Sequence, residues 1–300
     1  MTFKTFSSTL CLAAVLGIAS LAPAAHADTL PPHPVDEALR AKLPEDIRKA
    51  GELVSVNNGS FPPYEIALDA HTLSGATADL AEAIAQTLGL KIHHETVSGL
   101  SAQLAGIKAG RYQVALGPIG DYPDREPMND FVDWVQEFVV FAVKKGNPEG
   151  INDLADTCGK RVSVMAAGSA ERVIKKQSEE CVKAGKPAVT VQSYTDQATS
   201  ILAVRSSRAD AFFSSQAPLV YFVQQAKGDL ELAAVGHKNG FSDIFQGAVV
   251  GKDSAFRDVL LATLQKLFAD GTYAAIMTKW GLENNMIPAP GINLAGKAAQ

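Results

Sequence analysis

The residues at 117–134 (GPIGDYPDREPMNDFVDW) contain the side chain with the clearest chemistry, the guanidinium of Arg125. The apolar run at 112–116 predicts a buried strand, and the glycines and prolines that follow it predict an irregular loop. An arginine on a loop after a buried strand can bind an anion, because its planar guanidinium offers a carboxylate two parallel hydrogen bonds. The alternative is a solvated surface arginine. The stretch therefore predicts a carboxylate site that the rest of the chain has to support.

Other residues that could do chemistry do not form a catalytic pattern. The sequence contains neither a Gly-x-Ser-x-Gly nucleophile elbow nor a phosphate-binding P-loop. His93 and His94 are adjacent on a predicted strand and point to opposite faces, so surface histidines are a better interpretation than a metal pair. Asp121, Asp124 and Glu126 fit a solvated charged loop better than a general acid and base. We therefore expect no enzyme activity, no metal site and no cofactor.

Composition narrows the classes of partner. The chain has 300 residues, which is enough for one large domain or two smaller ones, and its formal net charge is −5. Because no basic run stands out, nucleic acid is not expected as a partner.

Residues 1–27 have the features of a secretory signal peptide. Lys4 gives a positive start, an apolar run follows, and Ala25-His26-Ala27 supplies small residues at the recognition positions before a cut. The alternative is a membrane anchor, but the apolar run is short and is followed at once by Pro23. We expect cleavage before Asp28 and a periplasmic location.

The cysteines predict a disulfide in the exported chain. Removing the signal peptide takes away Cys11 and leaves Cys158 and Cys181, an even number. The alternative is a pair of free buried thiols. A metal site is disfavoured because no histidine or further cysteine lies nearby at ligand spacing.

The remaining pattern alternates between strands and helices. A β-α-β-α-β order runs from residue 52 to 116, and a second alternation runs from 161 to 226 after the polar break at 144–148. This order predicts two α/β units with parallel strands, and the cleft between two such units is the usual place for a small ligand. Residues 28–41 are expected to be a loose lead-in, and the tail after Met286 is expected to extend along the surface.

Several ordered motifs carry a resemblance that covers roughly residues 45–285. The motifs are GELVSV (51–56) with the FPPY loop (61–64), GATADLAEAIA (75–85), IKAGRY (107–112), DR (124–125) before FVD (131–133), DL (153–154), AGS (167–169), RADA (208–211) and DGTYAAIMTKW (270–280). Each motif alone is a weak signal, whereas their order and spacing together are specific. The chain resembles the extracytoplasmic solute-binding proteins of ABC importers, in particular the polar amino-acid-binding family, which is bacterial extracellular solute-binding protein family 3.

The resemblance implies an α/β fold of two Rossmann-like lobes joined by two hinge strands, the type II periplasmic-binding-protein fold. Lobe 1 would hold residues 51–142 and 249–287, and lobe 2 would hold 145–245, with a lead-in at 28–50 and a tail at 288–300. The implied function is the capture of a small carboxylate-bearing solute, a polar amino acid or derivative, in a cleft that closes by hinge motion. The chain would act as a monomer and deliver this solute to an inner-membrane ABC permease with a separate ATPase subunit.

The resemblance also assigns roles to residues of the cleft. Arg125 matches the carboxylate-binding arginine, and Ser169 matches a hydroxyl residue at a helix start, where free N–H groups favour an anion. Phe61 matches the aromatic that stacks on the ligand, and Leu100 matches a second wall. The remaining expected contacts are Gly117, Pro118, Gly120, Gly168 and Ser215.

Two positions depart from the family pattern. Gly120 stands where a hydroxyl is usual, and Ser215 stands where an aspartate often pairs with the ligand α-ammonium. Either another acid takes over, with Asp121, Asp243 and Glu65 as candidates, or the ligand is a small organic acid without an α-ammonium. A lyase or dehydratase on the same fold is the further alternative.

Overall fold

The computed structural model describes Met1 and residues 32–298, and the two largest sheets of that part of the chain have five and four strands. The predicted cleavage site after Ala27 and Cys11 lie outside the described residues. The first stretch of chain contains α1 (Glu37–Arg40), α2 (Glu45–Ala50), β1 (Glu52–Asn57), β2 (Ser60–Phe61), β3 (Glu65–Ala67), β4 (Leu73–Ser74), α3 (Ala76–Leu88), β5 (Lys91–Thr96), α4 (Gly99–Lys108), β6 (Ala115–Gly120) and β7 (Asn129–Glu137).

The second stretch forms the other lobe, and the chain then returns to the first. The second lobe contains β8 (Val139–Lys144), a 3-10 helix (Leu154–Thr157), β9 (Arg161–Met165), α5 (Ser169–Lys183), β10 (Thr190–Tyr194), α6 (Gln197–Arg205), β11 (Ala211–Ser215), α7 (Gln216–Gln225) and β12 (Leu230–Ala233). The returning part contains β13 (Ile244–Gly251), α8 (Ala255–Ala269), α9 (Thr272–Lys279), a 3-10 helix (Glu283–Asn285), β14 (Met286–Ile292) and α10 (Leu294–Ala298).

Strand pairing confirms the predicted α/β architecture. The second lobe has the strand order β10-β9-β11-β8-β12, in which β9 pairs in parallel with both β10 and β11. In the first lobe, β14-β7-β13-β6 form one sheet, and the parallel pair β1–β5 joins it through a bridge between Ser55 and Val114. The helices cover these sheets, and β2, β3 and β4 form a small separate sheet beside the first lobe.

Each lobe has its own apolar core. In the first lobe Trp134 is fully buried, and its indole N–H donates to the carbonyl oxygen of Leu116 at 3.2 Å. In the second lobe the rings of Phe141 and Phe213 stack with their centroids 4.4 Å apart. Two separate cores allow the lobes to move as units about the segments that connect them.

The crossings between the lobes lie elsewhere than predicted. β8 pairs with β11 and β12, so residues 139–144 belong to the second lobe and the first crossing is at Phe138, before the expected boundary at 142. The return crossing precedes Ile244, where β13 begins to pair with β7, before the expected 249. The apolar run before the polar break could not show this, because its composition suits a strand of either sheet.

The prediction of an irregular loop at 117–123 is also wrong for residues 117–120. β6 continues through Gly120, and the irregular segment begins at Asp121. Pro118 is tolerated within this strand because the pairing of β6 with β13 shifts register between Gly247 and Val249, and a strand irregularity needs no N–H from proline.

Both ends of the described chain are more ordered than expected. Residues 32–41 are not a loose lead-in, because the His33 N–H donates to the side chain of Gln86 at 2.8 Å and Asp36 caps α1. After Met286 the chain does extend, but as the edge strand β14 paired with β7, and it ends in α10. Within the described residues, no helix is long and apolar enough to cross a membrane.

The predicted disulfide is confirmed. Cys158 and Cys181 are bonded, 23 residues apart in sequence, and the bond joins the end of the first 3-10 helix to α5. It therefore tethers α5, whose N-terminus faces the other lobe.

We predict that replacing both cysteines with alanine lowers the free energy of unfolding by about 3 kcal/mol, because the bond restricts the unfolded chain over its closed loop. Alanine is chosen because Cys181 is buried, so serine would bury a hydroxyl. Urea denaturation of the double variant and of the parent with its disulfide intact measures the difference. Equal denaturation midpoints would contradict a stabilising role for the bond.

Candidate functional site

A cleft lies between the two lobes, which is a usual place for a small-ligand site. The first lobe lines it with Asn58, Phe61, Glu65, Leu100, Gln103, Pro118, Ile119, Gly120, Tyr122, Arg125 and Gln246. The second lobe lines it with Val139, Met165, Gly168, Ser169, Ala170, Gln197, Ser214 and Ser215. Apolar walls and a few polar groups are thus supplied from both sides.

The structure brings together all the residues that the sequence assigned to the cleft except Gly117. Phe61, Leu100, Pro118, Gly120, Arg125, Gly168, Ser169 and Ser215 all line it. Gly117 lies one layer behind, where an added Cβ would stand 1.8 Å from Oε1 of Glu65. The glycine is therefore needed so that the Glu65 carboxyl can pack against β6.

Arg125 is held in place by backbone oxygens of both lobes. Its Nη1 donates to the carbonyl oxygen of Gly120 at 2.8 Å, and its Nη2 donates to that of Ala167, in the second lobe, at 3.1 Å. The guanidinium carbon lies 5.1 Å from the centre of the Tyr122 ring, a cation–π distance. Among the described residues no carboxylate forms an ion pair with Arg125. Its charge is oriented but not neutralised.

The N-terminus of α5 lies beside this guanidinium. Gly168 is the N-cap residue and no side chain caps it, so the first N–H groups of the helix remain available near the cleft-lining Ser169 and Ala170. The hydroxyl of Ser169 donates to that of Tyr122 at 2.7 Å, across the cleft. A helix N-terminus beside an arginine is a favourable site for a carboxylate.

Glu65 is the only carboxylate among the residues that line the cleft. It is 5% exposed, its side chain has no hydrogen-bond partner among the described residues, and burial raises its pKa to about 8. Uncharged amides also line the cleft. Among them Gln197 accepts a hydrogen bond from Ser214 at 2.8 Å, and Gln246 Oε1 has no donor within the described chain. The cleft thus contains a carboxyl group that lacks a counter-charge.

The other two acids considered for the ammonium are placed elsewhere. Asp121 and Asp243 line a neighbouring cavity, which shares only Tyr122 and Ser169 with the cleft. The Asp121 carboxylate turns away from the cleft and accepts the N–H of Ala295 at 3.0 Å. Of the three candidates, only Glu65 is in a position to meet a ligand.

Several cleft residues were not anticipated from the sequence. Tyr122 bridges the lobes and supports Arg125, and its only signal was an aromatic residue in the segment just before that arginine. The amides of Asn58, Gln103, Gln197 and Gln246 carried no signal, because neutral amides are common on any surface.

Comparison with known proteins gives one family. The family model described as bacterial extracellular solute-binding proteins, family 3, matches residues 53–283. The match ends before β14 and α10, so these two elements lie outside it.

Individual relatives are similar over most of their length. The arginine-binding protein ArgT of Corynebacterium glutamicum is 27% identical over 267 residues, covering 87% of this chain and 84% of the relative. The L-cystine-binding protein TcyJ of Escherichia coli strain K12 is 24% identical over 249 residues, covering 82% and 86%. The crystal structure of AbpA from Streptococcus pneumoniae, an amino acid ABC transporter substrate-binding protein bound to L-arginine, superposes with a TM-score of 0.70 at 22% identity, covering 79% of this chain and 97% of that chain. This structure supports the fold.

The raised pKa of Glu65 predicts a pH-dependent stability for the ligand-free protein. The unfolded carboxyl loses its proton near its ordinary pKa of 4.5, whereas the folded one keeps it up to about pH 8. Stability is therefore lost as pH rises from about 4.5 to about 8, by roughly 1.4 kcal/mol per pH unit at most. Glu65→Gln, which resembles the protonated carboxyl, removes this loss.

Urea denaturation of Glu65→Gln and of the parent at pH 5, 6, 7 and 8 tests the prediction. We expect the free energy of unfolding of the variant to increase relative to that of the parent as the pH rises. The exposed Glu179 on α5, which does not line the cleft, provides the matched control as Glu179→Gln. Parallel pH profiles for the Glu65 variant and the parent would show that the folded carboxyl ionises normally.

Proposed function

This chain belongs to the bacterial extracellular solute-binding proteins of family 3, and we propose that it captures a polar amino acid in its interlobe cleft for an ABC permease. The chain is exported through a cleaved signal peptide and works as a monomer in the periplasm. It carries no phosphate-binding loop, so a separate ATPase subunit supplies the energy of transport. The observation that carries the ligand class is a cleft with one unpaired guanidinium and one unpartnered carboxyl.

Arg125 and the N-terminus of α5 bind the carboxylate of the ligand. The backbone contacts with Gly120 and Ala167 already orient the guanidinium, so little side-chain freedom remains to be lost on binding. The free N–H groups of α5 and the Ser169 hydroxyl come from the other lobe. One carboxylate therefore joins both lobes, and this favours the closed cleft.

Glu65 binds the cationic group of the ligand. Its carboxyl is held protonated by burial, and a bound ammonium or guanidinium provides the counter-charge that lets it ionise. This pairing replaces the acid that the family often has at the position of Ser215. The names of ArgT and TcyJ indicate relatives that bind arginine and L-cystine, which both carry a carboxylate and a cationic group.

Two alternatives use the same carboxyl differently. A small organic acid without a cationic group would leave Glu65 protonated, as a hydrogen-bond donor to the ligand. A lyase would use the retained proton of Glu65 as a general acid for a leaving group. Both differ from the proposal in what happens to that proton when a ligand binds.

A thermal-shift panel that pairs L-arginine, L-glutamine and L-serine with their 2-oxo analogues, and adds dicarboxylates, tests the ligand class. We expect amino acids to raise the melting temperature, because a ligand bound only by the folded state stabilises it. For the strongest stabiliser, calorimetry at pH 7 in buffers of different ionisation enthalpy should detect about one proton released per ligand. Glu65→Gln should bind more weakly and release none.

The outcomes separate the three functions. Stabilisation by 2-oxo acids or dicarboxylates alone, with no proton release, would establish the organic-acid alternative. Conversion of the bound compound, seen by chromatography of the recovered ligand, would establish an enzyme. Stabilisation by none of these compounds would contradict the carboxylate site itself.

The carboxylate site makes a second prediction. Arg125→Ala should lower the affinity for the strongest stabiliser of the panel by about 10- to 100-fold, since a charge-assisted hydrogen bond contributes about 1.5–3 kcal/mol. Arg125→Lys should recover only part of the loss, because lysine lacks the planar pair of donors. Arg111, an exposed arginine of the same lobe, provides the control, and Arg111→Ala should bind normally. Unchanged affinity in Arg125→Ala would place the anion elsewhere.

A further inference from the structure

The C-terminal segment at residues 293–298 contacts the chain that carries Arg125 from the side away from the cleft. Three successive backbone N–H groups at the start of α10 donate to three carboxylates of the first lobe. The bonds run from Leu294 to Asp133 at 3.0 Å, from Ala295 to Asp121 at 3.0 Å and from Gly296 to Glu126 at 2.8 Å. Each carboxylate thus receives one donor from the same short helix.

Two of these carboxylates flank the part of the chain that enters the cleft. Asp121 directly follows the cleft residue Gly120, and Glu126 directly follows Arg125. Between them, Tyr122 and Arg125 both line the cleft. The C-terminal segment therefore has one hydrogen bond at each end of the stretch that presents the guanidinium.

The segment is itself anchored to the rest of the lobe. Asn293 exchanges two hydrogen bonds with the backbone of Phe131, at 2.8 and 3.1 Å, and its side chain donates to Asp130 at 3.1 Å. Asp130 also pairs with Lys252 and Arg257. The start of α10 therefore has a fixed position from which to hold its three partners.

The three carboxylates lack direct ionic partners in the described part of the chain. Within the described residues, Asp121, Glu126 and Asp133 form no ion pair, and Oδ1 of Asp121 and of Asp133 have no donor. Burial is the largest cause that raises the pKa of Asp121 to about 6, and it also raises that of Asp133, whose charge opposes the ionisation of its neighbour. The N–H groups of α10 are thus the donors that hold these side chains in place.

We propose that the C-terminal segment is a clamp for the ligand site, with Asp121 and Glu126 as the positioning residues through which it fixes the stretch that carries Tyr122 and Arg125. This role rests on the proposed function, because it assumes that Arg125 meets the ligand. The segment lies beyond residue 283, where the family match ends. Losing its bonds to Asp121 and Glu126 frees both ends of the Arg125 stretch.

The test uses the full-length mature chain with two substitutions at one position. Asp121→Ala removes the acceptor for Ala295, whereas Asp121→Asn keeps an oxygen acceptor and offers Asp133 a donor. Ala295→Pro removes the N–H from the other side of the bond, at a position in the first helical turn where that N–H has no partner within the helix.

Hydrogen–deuterium exchange of the ligand-free protein measures the clamp directly. The N–H groups of Arg125 and Glu126 both donate to the carbonyl oxygen of Tyr122, so they report on the order of this stretch. We expect exchange there to be about tenfold faster in Asp121→Ala and in Ala295→Pro, and within about twofold of the parent in Asp121→Asn. Exchange in β9 and β11 of the second lobe should be unchanged in all three variants.

Affinity for L-arginine, used as the probe, should fall about tenfold in the same two variants and be retained in Asp121→Asn. Parent-like exchange at Arg125 in both Asp121→Ala and Ala295→Pro would overturn the clamp. Equal changes of exchange and affinity in Asp121→Ala and Asp121→Asn would also overturn it. If Asp121→Ala does not fold, the comparison of exchange at Arg125 and Glu126 between Ala295→Pro and Asp121→Asn tests the clamp. If L-arginine does not bind the parent protein, the proposed function is wrong for this probe, and the exchange measurement still decides the clamp.

Discussion

The site depends on keeping a guanidinium aimed at a cleft without neutralising it. An arginine with free rotamers would find a carboxylate or turn to water, and three acids lie close to Arg125 in sequence: Asp121, Asp124 and Glu126. In the structure each of these three carboxylates has a partner other than Arg125. Asp124 pairs with Arg172, and Asp121 and Glu126 accept N–H groups from α10. The guanidinium is left with backbone carbonyl oxygens, which orient its charge without cancelling it.

Glu65 is the acidic counterpart of Arg125, because it also lies in the cleft without an ionic partner among the described residues. A buried carboxyl without a partner is unfavourable when ionised, so it keeps its proton until a counter-charge arrives. The cleft of the described chain therefore holds a guanidinium, that of Arg125, without an anionic partner and a carboxyl, that of Glu65, without a cationic partner. A ligand that carries both charges supplies the missing partners, and this physical complementarity supports an amino acid more directly than shape does.

Closure of the cleft uses contacts that need both lobes. Besides the Tyr122–Ser169 hydrogen bond, the hydroxyl of Ser60 accepts the N–H groups of Gln197 and Ala198 at the start of α6, at 3.1 and 3.4 Å. These few polar contacts are weak compared with the two apolar cores. A carboxylate held between Arg125 and the N-terminus of α5 would add to them, which is how ligand binding biases a hinge toward its closed form.

The sequence by itself determined the α/β class, the family, the disulfide and eight of the nineteen residues that line the cleft. These follow from local signals: alternating periodicity, helix-stopping glycines such as Gly89, paired cysteines, and motifs whose order survives at low identity. Only the tertiary structure decided which of Glu65, Asp121 and Asp243 faces the cleft, where the chain crosses between lobes, and that the tail after Met286 holds the Arg125 stretch. These depend on contacts between residues far apart in the chain, such as Ala295 with Asp121 and Gly117 with Glu65, and the type of a residue does not specify its distant neighbour.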